Sequence, residues 1–172
     1  MSITYKFASA GDVDALVALI NAAYRPAQDG GWTHEGGLVS GPRINAAQMR
    51  HTIADPHSVV ILALAKQEVV ACVHVQKQGS DSCIGTLTVA PAMQNTGVGK
   101  VMLARAEQHA TEHFGARRLL MLVLSPRHEL IDFYLRRGYV RMGVLQDFPV
   151  DAGVGVPMQP GMTLENLEKI IS

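Results

Sequence analysis

Residues 87–107 read LTVAPAMQNTGVGKVMLARAE, a strand end, a glycine loop and a helix in one uninterrupted run. The apolar strand passes through Pro91 into a loop holding Gln94, Gly97 and Gly99, and helical text follows at once. The first amides of a helix have no intrahelical acceptor, and the helix dipole places partial positive charge at that end. Glycines let the backbone approach an anion closely. The junction therefore suits a phosphate or pyrophosphate, with Lys100 adding a full charge. A P-loop is excluded, because Gln94 and Val101 stand where Gly and Ser or Thr are required. A dinucleotide fingerprint needs a third Gly where Met102 stands. On the glycines alone, an ordinary strand-to-helix turn is the better reading.

The flanking text alternates between strands and helices. Upstream, VVILALA (59–65) and VVACVHVQK (69–77) read as an antiparallel hairpin turning at Lys66–Glu68, and CIGTLTV (83–89) as the next strand. A first strand is expected over residues 2–8. Ser9 and Asp12 form a capping-box pattern that opens a helix running to about Arg25 and stopped by Pro26. Val13, Leu16, Val17, Ile20 and Tyr24 form its apolar face. A Gly-rich irregular stretch ends near Arg43, and a short helix is expected over 45–54. Downstream, a helix over 98–114 buries Met102, Leu103, Ala106, Ala110 and Phe114 and is capped by Gly115. RLLMLVL (118–124) reads as a strand covered on both faces. A helix over 128–137 stops at Gly138, and a strand follows over 139–145. Propensity leaves MTLENLEKI (162–170) open between strand and short helix. The sum is a single α/β domain, a mixed sheet with helices on both faces.

Composition narrows the function classes. The chain has 172 residues, 48% of them hydrophobic, which suffices for one core. Lys plus Arg number 15 and Asp plus Glu number 15, so no basic excess points to a nucleic acid. The longest apolar run, Val59–Ala65, is far short of the ~20 residues that span a membrane, and the N-terminal text lacks the pattern of a secretory signal. Cys72 and Cys83 read as free thiols of a cytoplasmic protein. The pair His109 and His113 lacks the Glu of a zincin motif, Ala110 standing in that place, so no metal is expected.

The string Val89-x-Pro91-x-x-Gln94-x-x-Gly97-x-Gly99 closely resembles the pyrophosphate motif of the GNAT superfamily of acyl-CoA-dependent N-acetyltransferases. Leu130-x-x-Phe133-Tyr134-x-x-x-Gly138-Tyr139 resembles the superfamily's second motif, a helix beside the acyl-CoA thiol. The order and spacing of the two also fit. The resemblance implies a mostly antiparallel central sheet whose strand ending at Leu87, Thr88 and Val89 splays from the next, so that the pantetheine arm pairs with exposed backbone. An amide near Val89 would polarise the thioester carbonyl. Gln94 and the amides of Asn95, Thr96, Gly97, Val98, Gly99 and Lys100 would hold the pyrophosphate, Phe133 would border the donor, and Arg136 and Arg137 would reach its phosphate groups or else form a solvated helix end. Tyr134 aligns with the general acid that protonates the departing thiolate.

Two positions depart from the pattern. Arg127 occupies the place of an Asn that commonly opens the second motif, and is expected to bind phosphate or an acceptor carboxylate. The strand before the glycine loop carries no carboxylate, so the base is another group or a water chain. In this family the segment joining the first two helices walls the acceptor site. Here it holds Trp32, Glu35 and Arg43, readable as a packing surface, an ammonium ligand or base, and a carboxylate ligand. The expected reaction is direct transfer from acetyl-CoA to a primary amine of a small, amino-acid-like acceptor. A protein N-terminus or lysine is the rival acceptor, a non-catalytic acyl-CoA sensor the rival class, and a homodimer is left open.

Overall fold

A computed structural model describes residues 2–26 and 34–171. The chain order is β1 (Ile3–Phe7), α1 (Val13–Tyr24), β2 (Val39–Ser40), α2 (Ala46–Ala54), β3 (Ser58–Ala65), β4 (Glu68–Gln78), β5 (Asp81–Val89), α3 (Val98–Glu112), β6 (Arg118–Leu124), α4 (His128–Leu135), β7 (Val140–Asp147), β8 (Val156–Pro157) and β9 (Thr163–Ile170). Local chemistry sets most of these boundaries. The Ser9 amide donates to Asp12 Oδ2 at 2.8 Å, closing the capping box ahead of α1, and Asn45 caps α2 through Gln48. Lys66 and Gln67 both adopt positive φ, which gives the β3–β4 turn the twist that antiparallel strands need.

The large sheet has seven strands in the order β1-β3-β4-β5-β6-β9-β7. Every neighbour pair is antiparallel except β5 and β6. That parallel pair is joined only from Asp81–Cys83 to Arg118–Leu120. Beyond Cys83 the strands part, as the motif resemblance implied, and residues 84–89 of β5 carry no strand on that side. The two faces of the sheet are covered differently. Val60, Leu62 and Cys72 pack under α1 and α2. Ile61, Val73, Val75, Leu119, Met121 and Leu167 pack under α3 and α4 with Met102, Leu103 and Ile131.

Two expectations need amending. β6 is not covered on both faces: Leu119, Met121 and Val123 are buried, whereas Leu122 is 49% exposed. Helices α1 and α2 pack on β3, β4 and β5, so Leu120 and Leu122 of β6 line a cavity, while Leu124 is buried against Val39, Phe148 and Met162. In α1 the buried set is Val13, Leu16, Leu19, Ile20 and Ala23, while Val17 and Tyr24 are only half-buried. The undecided tail segment is a strand: β9 lies between β6 and β7 and closes the sheet. Tyr139 Oη and Lys169 Nζ both donate to Glu107 Oε2, at 2.8 and 3.1 Å, tying α3 to this end of the sheet.

Candidate active site

The parting of β5 from β6 is accompanied by a bulge. Cys72 pairs with Thr88 and His74 with Gly85, so Thr86 and Leu87 together oppose Val73. Thr86 takes φ +52°, a costly conformation for a β-branched residue. The bulge carbonyls are held by side chains. Thr88 Oγ1 donates to the Thr86 carbonyl at 2.9 Å, and Tyr24 Oη to the Leu87 carbonyl at 3.3 Å. Gln94 Nε2 donates to the Val89 carbonyl at 3.2 Å, folding the loop back onto the strand it leaves. Asn95 and Gly97 take φ +64° and +89°, and Gly97 is the N-cap of α3. The amides of Val98, Gly99 and Lys100 therefore open the helix with no intrahelical acceptor.

A groove of about 340 Å³ runs along this junction. Leu87, Thr88, Val89, Gln94, Asn95, Gly97, Gly99, Lys100, Arg127, Phe133, Arg136 and Arg137 all border it, joined by Tyr24 and Leu130, which sequence reasoning did not place there. The side chains of Thr96 and Val98 turn away: Thr96 Oγ1 donates to the Met93 carbonyl, and Val98 is buried in the core. The expectation for these two concerned their backbone amides. A Cβ on Gly99 would sit 3.6 Å from Val89 and 3.9 Å from Phe133, so the glycine keeps the groove floor low. The Arg137 guanidinium lies 3.6 Å over the Phe133 ring and donates to the Phe133 carbonyl at 2.7 Å, while its buried Nε has no hydrogen-bond partner among the described residues. Burial, then the charge of Arg136, lowers the pKa of Arg137. Together with Lys100 these arginines make a cationic rim fitted to phosphate groups.

A second cavity of about 300 Å³ adjoins the groove, sharing Tyr24, Arg127 and Leu130 with it. Glu35, Arg43 and Tyr134 line it, as does Arg25. Glu35 is buried and its amide donates to the Tyr24 carbonyl at 2.7 Å, stitching the returning loop to the end of α1. Its Oε1 accepts from Arg25 Nη2 at 2.6 Å and Nε at 3.0 Å, and its Oε2 from Arg127 Nη1 at 3.3 Å. Two guanidiniums lie near the Tyr24 ring, Arg43 at 5.5 Å and Arg127 at 5.4 Å from its centroid. Tyr134 is buried between Phe133 and Tyr139 with edge-to-face geometry, and burial raises its pKa. Trp32 lies outside the described residues.

A family model described as the acetyltransferase (GNAT) family matches residues 14–139. The chain belongs to the GNAT acetyltransferases. Like the family, it is an acetyl-CoA-dependent N-acetyltransferase. Solved structures of the GNAT fold agree in architecture. An acetyltransferase of the GNAT family from Streptococcus pneumoniae superposes with a TM-score of 0.72 at 17% identity, covering 99% of this chain and 100% of that one. Ribosomal-protein-S18-alanine N-acetyltransferase from Escherichia coli gives 0.75 at 13% identity, covering 99% and 95%. PaiA N-acetyltransferase from Thermoplasma acidophilum, solved with coenzyme A, gives 0.74 at 15% identity and covers 99% of both chains. No curated protein matches by sequence. Among the described residues of this GNAT chain no His, Cys, Asp and Glu cluster is arranged to hold a metal, and no helix is long and apolar enough to cross a membrane.

His74 also lines the second cavity and shares a hydrogen bond with Ser58 Oγ through Nε2. Burial lowers its pKa to about 4, with the Arg43 charge adding and Asp55 opposing. The unfolded chain takes up this proton near pH 6.5, whereas the folded chain does not until about pH 4. Unfolding thus binds a proton in that window, and stability falls as pH drops through it. The melting temperature of the wild type is expected to fall more between pH 6.5 and 4 than that of His74→Gln. Parallel curves would show that His74 protonates freely in the fold. Of the two free thiols, Cys72 is fully buried and its pKa is pushed up to about 12, so it is no nucleophile at neutral pH.

Proposed function

We propose that the chain, acting as one acyltransferase domain in the cytoplasm, transfers an acetyl group directly from acetyl-CoA to a primary amine of a small, amino-acid-like molecule. The observation that carries this reading is the junction of the two cavities at Tyr24, Arg127 and Leu130. A donor along the glycine loop and an acceptor in the second cavity can then be bound together, so no covalent enzyme intermediate is needed. Direct transfer in a ternary complex follows.

The amides of residues 95–100, with Lys100, Arg136 and Arg137, would bind the pyrophosphate and the remaining phosphate of the donor. The unpaired backbone of β5 would take the pantetheine arm as an added strand, and an amide near Val89 would polarise the thioester carbonyl. The amine nitrogen forms a bond to that carbonyl carbon as the carbon–sulfur bond breaks. Tyr134 gives its phenolic proton to the departing sulfur, and its raised pKa keeps it protonated for that step. The amine proton leaves through water in the second cavity. The rival protein acceptor is the class that one neighbour, the S18-alanine enzyme, acts on by its name. Here the second cavity is walled by the Arg25–Glu35 pair at the α1 end, which favours a small molecule.

Melting with saturating acetyl-CoA tests the donor site, with NADH and ATP as controls. At a hundred times Kd the ligand adds about 2.7 kcal/mol, which raises the melting temperature by roughly 5–10 °C for a chain of this size. A shift with acetyl-CoA alone, followed by thiol release on addition of amines, is the expected result. No shift in a folded sample overturns the donor assignment.

A further inference from the structure

The charges around the second cavity do not balance, and the excess has a definite address. Its described lining holds three arginines, Arg25, Arg43 and Arg127, against one carboxylate, Glu35. Both Glu35 oxygens are engaged by Arg25 and Arg127. Glu35 is therefore a structural counter-ion in this state, not a free ligand for an ammonium group. Arg43 forms no ion pair with any described residue, yet it is half-buried and its guanidinium lies over the Tyr24 ring. Its backbone is fixed as well. The amides of Arg43 and Ile44 donate to Asn21 Oδ1 at 2.8 and 3.1 Å, and Asn21 Nδ2 donates to the Ile44 carbonyl at 2.9 Å. A preorganised guanidinium facing a cavity without a carboxylate of its own is matched by a carboxylate on the ligand, taken bidentately.

Position supplies the second constraint. Tyr24 borders both cavities, so an amine reacting where they meet lies near the ring whose centroid is 5.5 Å from the Arg43 guanidinium. Carboxylate and amine are thus separated by a short spacer. Leu120, Leu122, Phe148 and Leu164 give the same cavity an apolar wall, and Leu122 is 49% exposed. An apolar group on the acceptor would cover that wall. We infer that the acceptor is an α-amino acid with an apolar side chain, its carboxylate held by Arg43. Polyamines and aminoglycosides fit poorly, because no described carboxylate of the cavity is free to receive their additional ammonium groups.

This inference rests on the acetyltransferase reading, and binding measurements separate the two. The CoA-loaded wild type is titrated calorimetrically with L-phenylalanine, its amide and phenethylamine, which share the apolar group and the amine and differ in the carboxylate. L-phenylalanine is expected to bind at least tenfold more tightly than either analogue. Arg43→Gln should erase that discrimination, and Arg43→Lys, which keeps the charge without the fork, should restore part of it. The acetyl-CoA melting shift of each variant reports that it is folded. Equal binding of the three probes, preference for either analogue, or undiminished discrimination in Arg43→Gln overturns the inference while leaving acetyl-CoA turnover intact. Failure of the wild type to bind acetyl-CoA instead overturns the reading beneath it.

Discussion

Tyr134→Phe is expected to lower kcat by about a hundredfold or more at neutral pH, the range general acid catalysis supplies. The same substitution should leave the acetyl-CoA melting shift within a degree or so of wild type, because Tyr134 lines the second cavity and not the donor groove. The hydroxyl makes no hydrogen bond to another described residue, so its removal breaks no protein contact, and the ring keeps its packing against Phe133 and Tyr139. The loss should therefore appear in kcat and not in stability. Steady-state kinetics by thiol release, with a melting curve on each protein, decides the matter. Retention of kcat within threefold would transfer the acid role elsewhere. Tyr24 is then the next hydroxyl to test, since it borders both cavities and burial raises its pKa against the opposing charges of Arg127 and Arg43, which keeps it protonated.

Glu35→Gln is expected to destabilise the fold by about 3–5 kcal/mol, the penalty for breaking a buried ion pair on one side only. The side chains of Arg25, Glu35 and Arg127 are 7%, 9% and 6% exposed, so little solvent is at hand to replace the lost carboxylate charge. Two guanidiniums would be left facing each other across a neutral amide. At roughly 2–4 °C per kcal/mol for a chain of this length, the melting temperature should drop by more than 6 °C. Thermal melting of Glu35→Gln, Arg25→Gln and the double variant measures the coupling directly. A loss below 1 kcal/mol in the single Glu35 variant would mean that water in the cavity already solvates both cations. The double variant should be less impaired than the two single losses added together.

Much of the fold was legible because its determinants are local. The Ser9–Asp12 box, the Lys66–Gln67 turn, the Gly97 cap and the apolar spacing of α3 each lie within a few residues of sequence. The glycine loop was readable for the same reason: strand, bend and helix start occupy consecutive residues, and the physics of a helix N-terminus needs no distant partner. The second cavity was less legible. Arg25 and Tyr24 were readable only as the end of an amphipathic helix, and the side-chain partners of Arg127 and Glu35 were invisible. The two residues of that pair stand 92 positions apart. An acid in a Gly-rich loop looks equally like a cap, a base or a ligand until its partners are known.

The sequence by itself determined the order of the main strands and helices through β7, the glycine-rich strand-to-helix junction at residues 94–100 and the family to which both motifs point. Those features depend on backbone conformation and on side chains a few positions apart. Tertiary structure alone decided that MTLENLEKI becomes β9, inserted between β6 and β7, because a segment of ambivalent propensity takes the form its neighbours can pair. It also decided that β6 bares Leu122 to a cavity, and that Glu35 is neutralised by two arginines while Arg43 is not. Burial and charge balance are sums over elements brought together from the whole chain, and no window of sequence contains them.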